Sequence, residues 1–117
     1  MADKLLKVEV HALATGVPVV KVLGDLDLAT APAFKQAMTE QATHGREFVV
    51  DMDGVDFLSS AGLAVLVDLR QQMDDQNLKW AVVAARHTVT RPLEITGLHA
   101  VLPIFTDIPA ALNSLTG

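Results

Sequence analysis

Two adjacent hydroxyls, Ser59 and Ser60, sit inside the stretch Asp51-Met-Asp-Gly-Val-Asp-Phe-Leu-Ser-Ser-Ala-Gly-Leu-Ala-Val-Leu-Val-Asp68. A serine placed there could cap a helix, attack an acyl group as an activated nucleophile, or accept a phosphoryl group. Residue types alone favour the cap. A nucleophile would need a G-x-S-x-G elbow and an orienting His–Asp pair, and neither is evident, so a serine hydrolase is a weak reading. A phosphate suits the position physically. It carries about −1.5 to −2 charges, and a helix N-terminus offers it free N–H groups and the positive end of the dipole. Modification would therefore leave the fold intact and change the exposed surface. An unpaired charge buried in an interface costs several kcal/mol, about a thousand-fold in affinity or more.

The other polar groups argue against competing chemistries. Asp25 and Asp27, in Gly24-Asp-Leu-Asp27, read on residue types as a solvated turn that complements a helix dipole. Asp51, Asp53 and Asp56 form a second acidic cluster. Their alternation and the lack of a nearby His make a solvated strand end a better reading than a metal site. The four histidines are scattered without metal-ligand spacing. Trp80, within a strand, reads as core. No P-loop or dinucleotide fingerprint is present, so no cofactor is expected and ATP would have to come with a partner. Without cysteine there is no disulfide or thiolate site, which fits a reducing cytoplasm. A net charge of −5 makes nucleic acid a poor partner. No apolar run approaches the ~20 residues that would cross a membrane. The length of 117 residues suits one domain spanning 1–117, and with only 4% aromatics its core must be built from Val, Leu, Ala and Ile.

Positioning two serines at a helix start requires a strand before them and a helix after. Phe48-Val-Val50 lies in a third strand, Glu47 to Met52, whose continuous apolar centre predicts burial on both faces. The chain then turns through Val55-Asp56-Phe57-Leu58. A second helix follows from Ser60 to Met73. Leu63, Leu66, Leu69 and Met73 face one way, and Ser60, Ala64, Asp68, Gln71 and Asp75 the other. Upstream, Leu5 to Leu13 alternates as a half-buried strand and Thr15-Gly16 is a turn. Val17 to Leu23 completes a hairpin, which Gly24-Asp-Leu-Asp27 ends. Thr30-Ala-Pro32 opens a first helix with Ala33, Phe34, Ala37, Met38 and Ala42 inward and Lys35, Gln36, Glu40 and Gln41 in water; His44-Gly45 closes it. Downstream come a strand at Leu78–Ala84 and a third helix opened by Thr88 or Thr90 and closed by Gly97. Pro92 must then lie in that helix's first turn or bend it. A short strand at Val101–Phe105 and a last helix at Ala110–Leu115, preceded by Thr106-Asp-Ile-Pro109, complete the chain. The order ββαβαβαβα predicts an α/β fold: a mostly parallel five-stranded sheet with a leading hairpin and about four helices.

On these residues the chain resembles a STAS domain of the bacterial anti-sigma factor antagonist type. The resemblance covers essentially the whole chain. It is carried by Gly24-Asp-Leu-Asp27, by Asp51 to Leu63 with its Leu58-Ser-Ser-Ala-Gly-Leu63 core, and by Gly97-Leu98. It implies that the unphosphorylated protein binds an anti-sigma factor and frees the sigma factor. The anti-sigma factor, usually also an ATP-dependent serine kinase, then phosphorylates the antagonist, and a serine phosphatase reverses this. The regulated serine of the family falls on Ser60. Ser59 stands where many members carry Asp and is the alternative acceptor; Ala61 replaces a second hydroxyl. The implied partner surface comprises Asp25, Asp27, Ser59, Ser60, Ala61, Gly62, Ala64 and Asp68. The competing reading within the family is a constitutive scaffold subunit of a sensor or lipid-transport complex, indifferent to charge at Ser60.

Overall fold

The structure is a computed structural model that describes residues 6–12 and 15–116. Its strands are β1 (Lys7–Ala12), β2 (Pro18–Leu26), β3 (Phe48–Leu58), β4 (Trp80–Val83) and β5 (Ile104–Phe105). Its helices are α1 (Ala31–Thr43), α2 (Ser60–Asp75), α3 (His87–Ile95) and α4 (Ile108–Thr116), with a 3-10 turn at Leu98–Ala100. The sheet runs β1-β2-β3-β4-β5, with β1 antiparallel to β2 and all later neighbours parallel. The predicted fold class is therefore the observed one. The bounds expected for the first strand, Leu5 and Leu13, lie outside the described residues.

Strand order explains the layers. Three successive parallel crossovers all step the same way across the sheet, and each is right-handed by chain chirality, so α1, α2 and α3 fall on one face. The main core forms there. Val20, Val22, Phe48, Val50, Met52, Val55 and Val82 from the sheet meet Phe34, Met38, Leu66, Leu69, Met73, Val89 and Leu93 from the three helices. Helix α4 covers the other face. Its Ala111 and Leu115 bury Val19, Val49, Ala81 and Val83. Phe48 to Val50 is thus buried on both sides, as its unbroken apolar run requires. Asp107 caps α4, accepting the Ala110 N–H at 2.8 Å, with Pro109 in the first turn.

The two strands that lead to the serines are longer than the sequence suggests. β2 continues through Gly24-Asp-Leu to Leu26 instead of ending at Leu23. β3 continues to Leu58 instead of ending at Met52, so Val55 to Leu58 is strand and not turn. The pairing survives through two irregularities. Lys21 is opposite Asp51 and Leu26 opposite Leu58, so β3 fits two more residues than β2 into the same run. Glycine makes this possible. Gly24 has φ +110° at one irregularity. A Cβ on Gly54 would lie 2.9 Å from the Val22 carbonyl oxygen and 2.9 Å from Leu23 Cγ. These glycines sit inside strands and mimic turn signals in the sequence.

Smaller departures have equally local causes. Gln41 is buried, 8% exposed, and Ala33 is exposed. Seven residues make almost two helical turns, so Gln41 falls under the same stripe as Phe34, while Ala33 is a quarter-turn off it. Helix α3 opens at His87 with Arg86 as its N-cap, so Thr88 and Thr90 lie inside it. Pro92 is its sixth residue, past the first turn, and the helix runs on to Ile95. Gly97, at φ +76°, ends it as expected. β4 spans only Trp80–Val83 and β5 only Ile104–Phe105, because Val101 belongs to the turn after the 3-10 segment.

The contact at Gly54 is with backbone, which cannot rotate away. Gly54→Ala is therefore expected to lower the unfolding free energy by about 1–3 kcal/mol, measured as a shift of the urea midpoint. An unchanged midpoint would show that the β2–β3 pairing relaxes freely there.

Candidate functional site

The end of β3 delivers the chain to α2 in a fixed pose. Ser59 is the N-cap of α2, in extended backbone. Its N–H donates to the Leu26 carbonyl at 2.9 Å, and its own carbonyl accepts the Leu63 N–H at 3.1 Å. Gly62 seats the first turn. A Cβ there would approach Leu58 Cδ1 to 2.8 Å and Leu26 Cβ to 3.1 Å, so the helix start lies hard against the last pair of the β2–β3 ladder. Helix geometry leaves the N–H groups of Ser60, Ala61 and Gly62 without acceptors inside the helix.

The two hydroxyls face opposite environments. Ser59 Oγ is buried, makes no capping bond, and has no hydrogen-bond partner. Ser60, the first residue of α2, is exposed. Ala64 and Asp68 follow it on the same exposed face, Ala61 is partly buried and Gly62 is buried. The predicted helix face is thus assembled, except that Gly62 points into the fold and packs against it. Among the described residues no hydrogen bond joins a histidine to either serine.

The register brings Asp25, in β2, and Asp27, in the turn after it, to the same place. Asp25 is opposite Phe57, and Leu26 is opposite Leu58, immediately before the serines. Asp25 and Asp27 are both partly buried. Asp27 Oδ1 accepts the N–H groups of Ala29 and Thr30, each at 3.0 Å, which is an Asx-type turn. Thr30 Oγ1 donates to the Asp25 carbonyl at 2.7 Å and accepts the Asp27 N–H at 3.0 Å. Thr30 therefore fixes the loop shape and makes no side-chain capping bond to α1.

The second acidic cluster is a solvated strand end only at Asp56, which is exposed; Asp51 is buried and Asp53 half-buried. Asp51 is only 7% exposed and accepts the Asp53 N–H at 3.0 Å. Asp53 Oδ1 accepts the N–H groups of Ala85, at 2.8 Å, and Arg86, at 3.3 Å. Arg86 returns one nitrogen to the Asp53 carbonyl at 2.9 Å and another to Asp56 Oδ1 at 3.2 Å. Thr88 Oγ1 donates to the Val55 carbonyl at 2.8 Å. β4 pairs with β3 only as far as Asp51, so these bonds from the start of α3 replace the missing ladder along the final stretch of β3. The acids hold the strand that carries the serines. Among the described residues no three His, Asp or Glu are gathered as a metal site.

Sequence reasoning passed over the apolar surface around this junction. Phe57 and Ile95 are 52% and 72% exposed, and Leu28 in the β2–α1 turn is more exposed still. Phe57 and Ile95 flank an open groove of about 300 Å³ between the end of β3 and α3. Ile95 was legible as the last apolar residue before Thr96-Gly97; Phe57 was hidden by reading its segment as a turn.

The buried, unpartnered hydroxyl of Ser59 gives a test of the junction. An ordinary Ser N-cap loses about 1 kcal/mol on replacement by Ala. Here no capping bond is lost and an unsatisfied buried oxygen is removed, so Ser59→Ala should leave the urea-unfolding free energy unchanged or raise it by up to about 1 kcal/mol. A loss of 1 kcal/mol would mean the hydroxyl does cap α2.

With this geometry in place, comparison with known proteins is informative. The STAS domain profile matches residues 11–111. The anti-sigma-F factor antagonist RsfB of Mycobacterium tuberculosis is 33% identical over 103 residues, covering 87% of this chain and 84% of that protein. An anti-sigma-B factor antagonist of Staphylococcus aureus is 29% identical over 80 residues, covering 68% of this chain and 74% of that protein. Among solved structures, an anti-sigma factor antagonist from Mycobacterium paratuberculosis superposes with a TM-score of 0.89 at 30% identity, covering 99% of this chain and 98% of that one. The chain belongs to the STAS-domain family of anti-sigma factor antagonists.

Proposed function

We propose that this protein is an anti-sigma factor antagonist switched by phosphorylation of Ser60. Unphosphorylated, it binds an anti-sigma factor that is also a serine kinase, and the sigma factor is released. Phosphorylated, it lets the anti-sigma factor go, and a serine phosphatase restores it. Its part is binding, without catalysis of its own, in the cytoplasm. The ATP is the partner's.

The observation that carries the choice of residue is the contrast between the two hydroxyls. Ser60 is exposed on the first turn of α2, whereas Ser59 Oγ is buried. A kinase must bring the γ-phosphate in line with the hydroxyl oxygen, which it can do at Ser60 without unfolding anything. The names of the relatives supply the partner class, an anti-sigma factor. The contact surface proposed is the exposed face at Ser60, Ala61, Ala64 and Asp68, flanked by the Asp25–Asp27 loop. Ser59 and Gly62 serve it from beneath by fixing where the helix begins. Small side chains at Ala61 and Ala64 allow a partner's backbone to come close.

Phosphorylation acts through charge placement. At the first residue of a helix, phosphate oxygens can accept the free N–H groups of the first turn and meet the positive end of the dipole. The fold is therefore not destabilised. At the interface the result is opposite, because the dianion occupies the space the partner fills, beside an already acidic loop. Its desolvation amounts to several kcal/mol, about a thousand-fold in affinity.

The test is phosphate mapping by mass spectrometry after mixing the protein with ATP and each candidate anti-sigma kinase of its own cell, with calorimetric titration of Ser60→Asp. The expected site is Ser60, absent in Ser60→Ala. Ser60→Asp should bind at least about a hundred-fold more weakly, with an unchanged unfolding midpoint. Phosphate on Ser59 would keep the switch and refute the assignment of residue. A stable complex indifferent to Ser60→Asp would instead identify a constitutive scaffold.

A further inference from the structure

The groove between the end of β3 and α3 has walls of different chemistry. On one side are Phe57 and Leu58 at the end of β3, with the Asp56 carboxylate beside them; on the other are His87, Arg91, Pro92 and Ile95 of α3. Two of its apolar members, Phe57 and Ile95, are more than half exposed although both lie in regular secondary structure. Arg91 is exposed, and among the described residues it makes no ion pair. The neighbouring cation Arg86 is held by Asp56 at 3.2 Å. In an otherwise acidic protein this apolar slot thus carries a cation without an ion pair, Arg91, while its carboxylate, Asp56, is already paired with Arg86.

We infer that this groove is a second docking patch for the anti-sigma factor, taking an apolar side chain of the partner with a carboxylate beside it. The inference rests on the antagonist reading above and extends the surface beyond α2. Two observations single out this occupant. The first is continuity: Phe57 and Leu58 run directly into Ser59-Ser60, and Phe57 is opposite Asp25. The β3 wall of the groove is thus the segment of chain that leads into the Ser60 face. The second is charge. Arg91 selects an acidic neighbour for the apolar anchor, in contrast to the Asp25–Asp27 side, which selects cations. The groove lies on α3 and β3, outside the first turn of α2 that the phosphate modifies. Its contribution to affinity should therefore persist when Ser60 carries a charge, and leave the phosphorylated protein weakly associated with its kinase.

Calorimetric titration against the anti-sigma kinase tests this, with wild type, Ile95→Asp, Arg91→Glu, Ser60→Asp and the Ser60→Asp/Ile95→Asp double variant. Lys35→Glu, on the exposed face of α1, is the control for a charge change elsewhere. The changed side chains are exposed, and urea midpoints confirm that each variant is folded. Ile95→Asp and Arg91→Glu should each weaken binding about tenfold or more, Lys35→Glu by less than twofold. The fold-changes of Ile95→Asp and Ser60→Asp should multiply, as for independent patches. Wild-type affinity in both groove variants, with Ser60→Asp still weakened, overturns the groove proposal and leaves the antagonist function standing. A wild-type protein that binds no anti-sigma kinase removes the antagonist reading itself. Sedimentation covers the remaining occupant: self-association of wild type that Ile95→Asp abolishes would give the groove to a second copy and overturn the proposal.

Discussion

Everything at the candidate site depends on one close contact, the seating of Gly62 against Leu26 and Leu58. With no side chain on Gly62, the first turn of α2 settles onto the last pair of the β2–β3 ladder, where any Cβ would meet carbon at 2.8 and 3.1 Å. That contact sets where the helix begins, and hence which serine points out. Ser59 is drawn under, with its N–H on the Leu26 carbonyl, and Ser60 is left on the surface. Loosening the seat would mix the two environments, and the distinction between a buried and a presented hydroxyl would go with it.

The ladder can reach that far only because it is irregular. Beyond Asp51, β3 has no β4 alongside, and it takes two extra residues relative to β2. A bare strand end of this kind would fray. It is held instead from the α3 side by Asp53, Arg86, Asp56 and Thr88, through backbone and side-chain bonds of 2.8 to 3.3 Å. Three of the acids that give the region its negative composition are thus structural acceptors, with Asp51 closing the turn of hydrogen bonds before the irregularity.

The same features explain what could and could not be read from the residues. Periodicity placed the helix faces and the doubly buried Phe48–Val50 run, because core burial imposes its spacing directly on the sequence. The strand ends were not legible. Gly24 and Gly54 beside aspartates look like turns, and only the pairing partner shows that they are bulged strand. Asp53 and Asp56 looked solvated because the groups that satisfy them lie some thirty positions later in the chain, and Asp51 because nothing in its neighbours signals its burial. Ser60 itself was legible through motif resemblance. Its exposure followed from the helical spacing that sets it opposite Leu63 and Leu66; the burial of Ser59 Oγ did not, since either serine could have been the first helical residue.

A switch built on this junction separates fold from recognition in a way few other positions allow. In a strand centre, a phosphate would disrupt the ladder; on a helix C-terminus, it would oppose the dipole. At the first residue of α2 it faces N–H groups that the helix itself leaves without acceptors, so the folded state accommodates the charge. The partner, by contrast, must desolvate whatever lies between Ser60 and its own surface. The difference of several kcal/mol therefore falls almost wholly on binding. If the groove at Phe57 and Ile95 supplies affinity independent of that charge, the phosphate has to remove only part of the total. The balance between the two patches then sets how completely one modification releases the partner: a strong groove makes a leaky switch, and a weak one makes it nearly all-or-none.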